Sequence, residues 1–333
     1  MKEIVAYGVR SDEIEFFRKY EKELNLDIKY VAQELNPETA SQAQGTQGVT
    51  IQGSNKADRE TLLALSKAGV KYLALRSAGY NYVDSDAAQE YGIHFSNVTY
   101  SPNSVADFTT MLILMCVRKA KQILARNAIQ DYTLAGIQGR EIRNLTVGII
   151  GTGQIGATVA RNLSGFGCKI IGYDIYENDH LKNVIEYVSL EEIISNSDVI
   201  TLHAPLFDSN YHMINQESIN KMKDGVCLVN CGRGGLIDTE ALIQGIETGK
   251  ISSAALDVIE DELGIFHGDH RLNVLSNRQL AILRAFPNVI ITPHTAFYTD
   301  QAVSDMVEIA LKSLLSFINN GASQWEIQPP IAK

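Results

Sequence analysis

A glycine-rich turn between an apolar run and a helical pattern is the feature that most constrains this chain. The run Leu145–Ile150 is typical of a parallel strand that is buried on both faces. Glycines at 151, 153 and 156 follow, where a helical pattern over 155–166 begins. The first glycine permits a tight turn, the second lets a pyrophosphate approach the backbone, and the third lets helix and strand pack closely. This pattern predicts a phosphate-binding turn at a helix N-terminus.

An acid at the end of the next strand extends that prediction to a dinucleotide. The apolar run Lys169–Tyr173 ends at Asp174, 18 residues past Gly156. A carboxylate there suits the two hydroxyls of an adenine ribose and repels a 2′-phosphate. The glycine motif alone is weak evidence. The order strand, glycines, helix, strand and acid predicts a dinucleotide site, and Asp174 favours NAD over NADP.

Length and charge limit the class of protein. The 333 residues exceed one average domain, so two domains are expected. The formal charge of −10 comes from scattered acids and argues against a nucleic-acid surface. There is no apolar run of about 18 residues that would predict a membrane span. The segment Met1–Arg10 resembles a strand and not a signal peptide, so we expect a cytoplasmic protein.

The four cysteines lie in apolar stretches and are interpreted as buried thiols in a reducing compartment. Cys227 and Cys231 are spaced C-x3-C on one predicted strand. Since no nearby Cys/His set would complete a zinc tetrahedron, no metal site is predicted.

The first hundred residues predict a small α/β unit with a parallel sheet. The predicted strands are Ile4–Tyr7, Ile28–Val31, Gly48–Ile51, Tyr72–Leu75 and Ile93–Ser96. The predicted helices are Asp12–Glu23, Asp58–Ala68 and Asp84–Tyr91. A small-residue turn, Ala78–Gly79, follows the fourth strand. Its amides are placed to receive an anion, with an ordinary strand-to-helix turn as the alternative.

The second part of the chain predicts a larger α/β unit. A long helix from Ser104 to about Arg126, preceded by Ser101 and Pro102, leads into it. Further strands bring the total to six, the count of a complete doubly wound dinucleotide domain, and these are Asp198–His203, Val226–Asn230, Ala254–Val258 and Val289–Thr292. The segment Glu260–Ala285 is predicted to be an irregular insertion. A last helix, from Asp300 to about Ile318, is predicted to return to the first domain.

Three of these strands end in residues suited to chemistry. Arg233 stands between glycines after one strand and can present a two-donor fork to a carboxylate. Asp257 ends the next strand and is followed by Glu260-Asp261-Glu262, and His294 follows the last strand. Singly these residues are also compatible with a surface arginine, a solvated acidic loop and a capped histidine. Together, at the carboxyl ends of one sheet, they predict a site.

Signature blocks identify a family resemblance over nearly the whole chain. VGIIGTGQIG, NCGRGGLIDTEAL, ALDVIEDELGIF and ITPHTAFYT resemble blocks of the D-isomer-specific 2-hydroxyacid dehydrogenases. RSAGYNYVD and VTYSPNSVADFT resemble the D-lactate dehydrogenase subgroup. The resemblance implies an α/β fold: a doubly wound Rossmann NAD-binding domain over 102–297 and a smaller flavodoxin-like substrate domain from 1–101 and 298–333. It also implies a homodimer held through the cofactor domains.

The resemblance also implies residue roles. Arg233 matches the substrate-binding arginine, Glu262 the catalytic acid and His294 the proton donor. Positions matching cofactor contacts are Gly151, Gly153, Gln154, Ile155, Gly156, Asp174, Ala204, Pro205, Asn210, Cys231, Gly232 and Asp257. Positions matching substrate contacts, besides Arg233 and His294, are Gln52, Ala78, Gly79, Tyr100 and Tyr298.

These roles agree with the chemistry of reducing a 2-oxo acid. Arg233, with the amides at Ala78–Gly79, would hold the carboxylate and orient the carbonyl. His294 can give and take back a proton, because imidazole titrates near neutral pH. Glu262 would favour the imidazolium and hold its ring. The activity implied is reduction of pyruvate to D-lactate with NADH.

Other functions remain open at this point. They are a dehydrogenase for larger acids of the 2-oxoisocaproate or 2-oxoglutarate type, and a non-catalytic NADH-responsive interaction protein. The second is disfavoured because Arg233, Glu262 and His294 are all present. Formate and phosphoglycerate dehydrogenases are disfavoured because the blocks around Arg76 and Tyr100 resemble the D-lactate subgroup.

Gln52 departs from the tyrosine that closes the pocket in some D-lactate dehydrogenases. Its shorter, polar side chain predicts a looser pocket, in which an amide could hydrogen-bond a polar substrate tail. Pyruvate is still expected to be the best common substrate, with longer acids turned over measurably.

Overall fold

The computed structural model describes residues 2–53 and 55–328. The strands are β1 (Lys2–Tyr7), β2 (Leu26–Val31), β3 (Gly48–Ile51), β4 (Tyr72–Leu75), β5 (His94–Ser96), β6 (Thr146–Ile150), β7 (Lys169–Tyr173), β8 (Glu186–Tyr187), β9 (Val199–Leu202), β10 (Val226–Asn230), β11 (Ile251–Leu256) and β12 (Val289–Ile291). The α-helices are α1 (Ile14–Glu23), α2 (Arg59–Lys67), α3 (Ser85–Glu90), α4 (Pro102–Val117), α5 (Ala120–Ala128), α6 (Gln154–Ser164), α7 (Leu190–Asn196), α8 (Gln216–Lys221), α9 (Thr239–Glu247), α10 (Arg278–Ala285) and α11 (Asp300–Asn320).

The chain folds into two compact units. Unit 1 contains the residues up to Ser101 together with those from Tyr298 onward, and unit 2 contains Pro102–Phe297. Each unit has its own parallel sheet. Among the described residues, no helix is both long and apolar enough to span a membrane.

Unit 1 is built on a five-stranded parallel sheet in the order β2-β1-β3-β4-β5. This order reverses direction between β1 and β3, as in flavodoxin-like folds. The sheet core is fully buried, as at Val5, Val49 and Leu73. Helix α11 packs on it, with Phe317 stacked on Tyr72 at a ring-centre distance of 5.1 Å. The last helix therefore belongs to unit 1, as the sequence predicted.

Unit 2 is built on a seven-stranded parallel sheet in the order β12-β11-β10-β9-β6-β7-β8. The order reverses between β6 and β9, which is where doubly wound sheets bind ligands, beyond the strand carboxyl ends. The predicted fold class, a Rossmann domain with a smaller flavodoxin-like domain, is confirmed. The predicted count of six strands is wrong by one, because β8 has only two residues and carries no apolar run.

Two predictions about helices are wrong. The long helix predicted from Ser104 to Arg126 is broken between α4 and α5, where Lys119 adopts a left-handed φ of 54°. At the break, the carbonyl of Val117 accepts a hydrogen bond from Arg140 N (2.9 Å), a residue distant in the sequence. The segment predicted to be irregular contains α10, which is capped by the Asn277 side chain at Leu280 N (2.9 Å).

Candidate active site

The glycine turn of unit 2 leaves open space in front of a helix. Gly151 follows β6 with φ +89°, and α6 begins at Gln154 with Gly153 as its N-cap. A Cβ at Gly156 would lie 1.9 Å from the Gly151 oxygen, so only glycine permits this packing. A Cβ at Gly153 would meet nothing within 4 Å. A diphosphate can therefore approach the free amides of the first helical turn, which includes Ile155.

Asp174 stands at the end of β7 and is half-buried. Its Oδ2 accepts hydrogen bonds from Thr152 N (2.6 Å) and Thr152 Oγ1 (3.3 Å), and its Oδ1 accepts one from Tyr176 N (3.2 Å). These bonds orient the carboxylate but do not exhaust it, since each oxygen accepts more than one donor. The turn and Asp174 together fit an adenine dinucleotide.

The loop after β9 lies against the glycine turn. A Cβ on Gly151 would be 2.6 Å from Ala204 N. The Asn210 amide closes this loop, because Nδ2 donates to Pro205 O (2.8 Å) and Oδ1 accepts from Phe207 N (2.7 Å). Asn210 thus shapes the loop that carries Ala204 and Pro205.

His203, at the same strand end, was not singled out from the sequence. Its Nε2 lies 2.9 Å from Thr201 Oγ1, and its Nδ1 has no partner within the described residues. Burial lowers the pKa of His203 to about 3, so this ring is neutral at physiological pH. His203 therefore does not compete with His294 as a proton donor.

The loop that carries Arg233 follows β10 and is held by a buried asparagine. Asn230, 1% exposed, accepts from Gly232 N (3.0 Å) and donates to Arg233 O (2.9 Å). A Cβ on Gly234 would lie 2.1 Å from the Ile259 carbonyl, so the glycine after Arg233 is required by close approach. Sequence reasoning missed Asn230, although a polar residue ending an apolar strand is a usable signal.

The Arg233 side chain is half-buried and has few partners. Its Nη1 donates to the adjacent Gly232 O (2.7 Å), and no acidic side chain in 2–53 or 55–328 pairs with it. Its remaining donors can therefore receive a carboxylate. The neighbouring thiol takes no part in acid–base chemistry near neutral pH, because burial raises the pKa of Cys231 to about 12.

His294 and Glu262 form a close pair. His294 Nδ1 lies 2.5 Å from Glu262 Oε1, and Glu262 Oε2 accepts from Ile259 N (3.0 Å). Because a carboxylate only accepts, Nδ1 carries a proton, which leaves Nε2 as the nitrogen able to exchange one with a substrate. The two side chains are 34% and 21% exposed, so the pair is accessible.

The backbone of His294 adopts an uncommon conformation that several contacts hold. Its φ is +52°, its N–H donates to Asp257 O (2.8 Å), and its carbonyl accepts from His267 Nε2 (3.0 Å). The Asp257 carboxylate is 1% exposed and accepts from Thr292 Oγ1 (2.6 Å), Thr295 N (2.9 Å) and Ala296 N (2.9 Å). Left-handed backbone at a non-glycine residue persists only where the surroundings fix it. Asp257 therefore organises the loop that presents His294.

The three acids of segment 260–262 have different contacts. Glu260 accepts from His212 Nε2 (2.6 Å) and Thr239 N (3.0 Å). Burial alone would raise the pKa of Glu260, but these hydrogen bonds hold it below its usual value. Asp261 is exposed. Of these three acids, Glu262 is the one whose carboxylate contacts His294.

In unit 1, the loop after β4 presents two amides. The Ala78 carbonyl accepts from Asn97 Nδ2 (2.7 Å), and the Gly79 carbonyl accepts from Ser77 Oγ (2.8 Å), which also bonds to the Tyr82 hydroxyl. No described residue accepts from the N–H of Ala78 or Gly79. The loop is fixed through its carbonyls, and both amides can bind an anion.

The other unit 1 positions that the resemblance predicts to contact substrate follow β3, follow β5 or precede α11. Gln52 follows β3 and donates from Nε2 to Glu13 Oε2 (2.6 Å). Tyr298 is 49% exposed, and the Arg10 guanidinium carbon lies 5.4 Å from its ring centre. Tyr100 is half-buried in the segment between β5 and α4. Arg10 and Glu13 were not found from the sequence.

No group of three or more His, Cys, Asp or Glu side chains among the described residues could hold a metal ion. The fold and the glycine turn, the acid at β7 and the His–Glu pair define the class: unit 2 is the dinucleotide domain of an oxidoreductase.

The comparisons with known proteins give the family. Residues 110–296 match the model for the NAD-binding domain of D-isomer specific 2-hydroxyacid dehydrogenases. The chain belongs to this family and is an NAD-dependent dehydrogenase.

Individual relatives differ in their named substrates. The chain is 50% identical over 316 residues to the aromatic 2-oxoacid reductase of Clostridium sporogenes, covering 94% of this chain and 96% of that protein. It is 39% identical to the D-lactate dehydrogenase of Lactobacillus delbrueckii subsp. bulgaricus, covering 98% and 99%. The solved structure of a D-lactate dehydrogenase from a Sporolactobacillus species superposes with a TM-score of 0.86 at 40% identity, covering 98% and 99%.

Proposed function

We propose that the protein reduces aromatic 2-oxo acids to D-2-hydroxy acids with NADH, and that pyruvate is a poorer second substrate. The observation that carries this order is the 50% identity to an aromatic 2-oxoacid reductase, against 39% to a D-lactate dehydrogenase. Gln52, which stands where some D-lactate dehydrogenases have a tyrosine, agrees with a pocket for larger side chains.

The side chains of unit 2 would carry the reaction. Arg233 binds the substrate carboxylate with its two-donor fork. His294 donates a proton from Nε2 to the carbonyl oxygen, and Glu262 holds the ring through Nδ1 and stabilises the imidazolium. NADH supplies the hydride when bound, held by the Gly151–Gly156 turn and by Asp174.

Further contacts are proposed from the family resemblance. The Ala78 and Gly79 amides bind the same carboxylate, and Tyr100 and Tyr298 contact the side chain of the substrate. Gln154, Ile155, Ala204, Pro205, Asn210, Cys231, Gly232 and Asp257 line or shape the cofactor site. Asp257 does so through the His294 loop, which its carboxylate holds.

We also propose that the protein forms a homodimer through unit 2. Helices α4 and α5 and the residues after them expose large apolar side chains, namely Met111, Ile123, Leu124, Ile129, Tyr132 and Leu134. A run of such side chains is typical of a protein interface. The molar mass in solution, measured by light scattering, tests this, and a monomer at micromolar concentration would contradict it.

Steady-state kinetics with phenylpyruvate and pyruvate, followed by loss of NADH absorbance, test the reaction. His294→Gln is expected to lower kcat by roughly 10²–10⁴-fold on both acids, the usual contribution of a positioned general acid. The control is His180→Gln, which changes an exposed histidine of unit 2 and should leave kcat unchanged. A higher kcat/KM for pyruvate than for phenylpyruvate would overturn the substrate order. Wild-type turnover in His294→Gln would remove His294 from the chemistry.

A further inference from the structure

His267 is a histidine of unit 2 that the proposed reaction does not use. Its Nε2 lies 3.0 Å from the carbonyl oxygen of His294. A carbonyl oxygen can only accept, so Nε2 carries a proton and donates it. Both the neutral ring protonated at Nε2 and the charged ring can make this bond. His267 therefore contacts the proposed proton donor at its backbone.

The turn that leads to His267 also carries the acid of the His–Glu pair. The Glu262 carbonyl accepts from Ile265 N and Phe266 N, both at 3.0 Å, which closes the turn 262–266. Ile265 and Phe266 are half-buried and pack against the core of unit 2, so the turn is anchored. At its start, the Glu262 carboxylate contacts His294 Nδ1 at 2.5 Å. Directly after its end, His267 contacts the His294 carbonyl.

Both histidines have a left-handed backbone. The φ angle is +66° at His267 and +52° at His294. Non-glycine residues keep this conformation only where their surroundings fix it, and such residues cluster at functional sites. The hydrogen bond joins the two uncommon positions directly. Removal of the His267 donor would therefore release the peptide group that follows His294.

Two aromatic rings flank the His294 imidazole. Its ring centre lies 6.1 Å from that of His267 at an interplanar angle of 52°, and 6.2 Å from that of Phe297 at 80°. The rings of His267 and Phe297 are themselves 6.3 Å apart. Separations in this range are typical of packed aromatic pairs. The three rings thus form a cluster that restricts rotation of the His294 side chain.

We infer that His267 is a positioning residue for the proton donor of the reaction. Glu262 holds the imidazole at Nδ1, and His267 holds the peptide at its carbonyl, so one turn fixes both the ring and the backbone of His294. The direction of Nε2 follows from both contacts. A general acid acts only within hydrogen-bond reach of the atom it protonates, so a small displacement lowers the rate.

This inference rests on the proposed role of His294. It adds a residue that the sequence did not single out, since the signature block ALDVIEDELGIF ends at Phe266, one residue earlier.

The test compares His267→Met with His267→Gln. The two side chains have the same length and neither favours a left-handed backbone, but only glutamine keeps a nitrogen donor in place of Nε2. The rate of NADH oxidation is measured in single turnovers by stopped-flow absorbance, so that product release does not mask the chemical step. The substrate is whichever of phenylpyruvate and pyruvate the wild type reduces faster. His267→Met should lower this rate by about 10-fold or more, and His267→Gln should stay within about 3-fold of the wild type.

Binding measurements separate positioning from a merely structural role. The Kd for NADH, from fluorescence titration, and the KM for the 2-oxo acid should change by less than about 2-fold in both variants. The reason is that no hydrogen bond among the described residues joins His267 to Asp174 or Arg233. The control is His180→Met, at an exposed histidine of unit 2, which should leave the rate and both constants unchanged.

Two outcomes would overturn the role of His267. One is a wild-type rate in His267→Met, and the other is an equal loss of rate in His267→Met and His267→Gln. Failure of the wild type to reduce either acid would contradict the proposed function, and this inference with it, before any variant is compared.

Discussion

Two arginines at the carboxyl ends of parallel strands have opposite surroundings. Arg76 follows β4 in unit 1, is 3% exposed, and donates to a carboxylate, a carbonyl and a hydroxyl. Arg233 lies past the end of β10 in unit 2, is half-buried, and donates to the carbonyl of its own neighbour. Strand-end position alone therefore does not mark an arginine for ligand binding. What marks it is the number of guanidinium hydrogen-bond donors that have no partner within the folded protein.

The acids of unit 2 show the same difference. The carboxylate oxygens of Asp257 and Glu260 accept hydrogen bonds that hold loops of the fold. In Glu262, one carboxylate oxygen accepts a hydrogen bond from a backbone amide and the other accepts one from His294. Neighbouring acids in one segment thus separate into structural and chemical ones according to what each carboxylate accepts from.

The largest effect that would test this comparison is on stability. Arg76→Met removes the cation that neutralises Glu13 in the core. Breaking a buried pair on one side leaves an uncompensated charge, so the free energy of unfolding should fall by about 3–5 kcal/mol. Urea unfolding at neutral pH, followed by circular dichroism, measures it.

The matched control for that variant is Arg59→Met. It breaks the Arg59–Glu90 bridge (2.6 Å), whose side chains are 48% and 57% exposed. Exposed ion pairs are screened by water, so the loss should be much smaller. Equal losses in the two variants would show that the Arg76 cluster does not act as a buried unit.

The next effect is on catalysis. Arg233→Lys keeps the charge but replaces a planar fork by a point charge, so kcat/KM for 2-oxo acids should fall by roughly 10²-fold. Stability should stay near that of the wild type, because the guanidinium bonds only to Gly232 O among the described residues. Arg271→Lys, at an arginine whose side chain is 86% exposed, is the control. Wild-type kcat/KM in Arg233→Lys would place this arginine with Arg76 and outside the site.

Much of this organisation follows from local sequence. The strands before Arg233 and His294 are apolar runs. Two predicted helices begin at Asp58 and Asp84, whose side chains cap them at Thr61 N and Ala87 N. What could not be predicted depends on distant partners. Val117 ends its helix where Arg140 reaches its carbonyl, and the Gln52 amide takes its orientation from Glu13, 39 residues away. Neither contact leaves a pattern in the residues around it.

Asp174 lies between the two extremes of the comparison and gives the smallest expected effect. Its carboxylate accepts hydrogen bonds from Thr152 and Tyr176, and Asp174 is half-buried and accessible. If its charge is what excludes a 2′-phosphate, Asp174→Asn should raise the kcat/KM ratio of NADPH to NADH by roughly tenfold. The asparagine oxygen can still accept from Thr152 N, so the glycine turn should keep its shape. Asp174→Ala removes that acceptor as well and should weaken NADH more than asparagine does. If neither variant changes the kcat/KM ratio of NADPH to NADH, Asp174 only stabilises the glycine turn and has a structural role like that of Asp257 and Glu260.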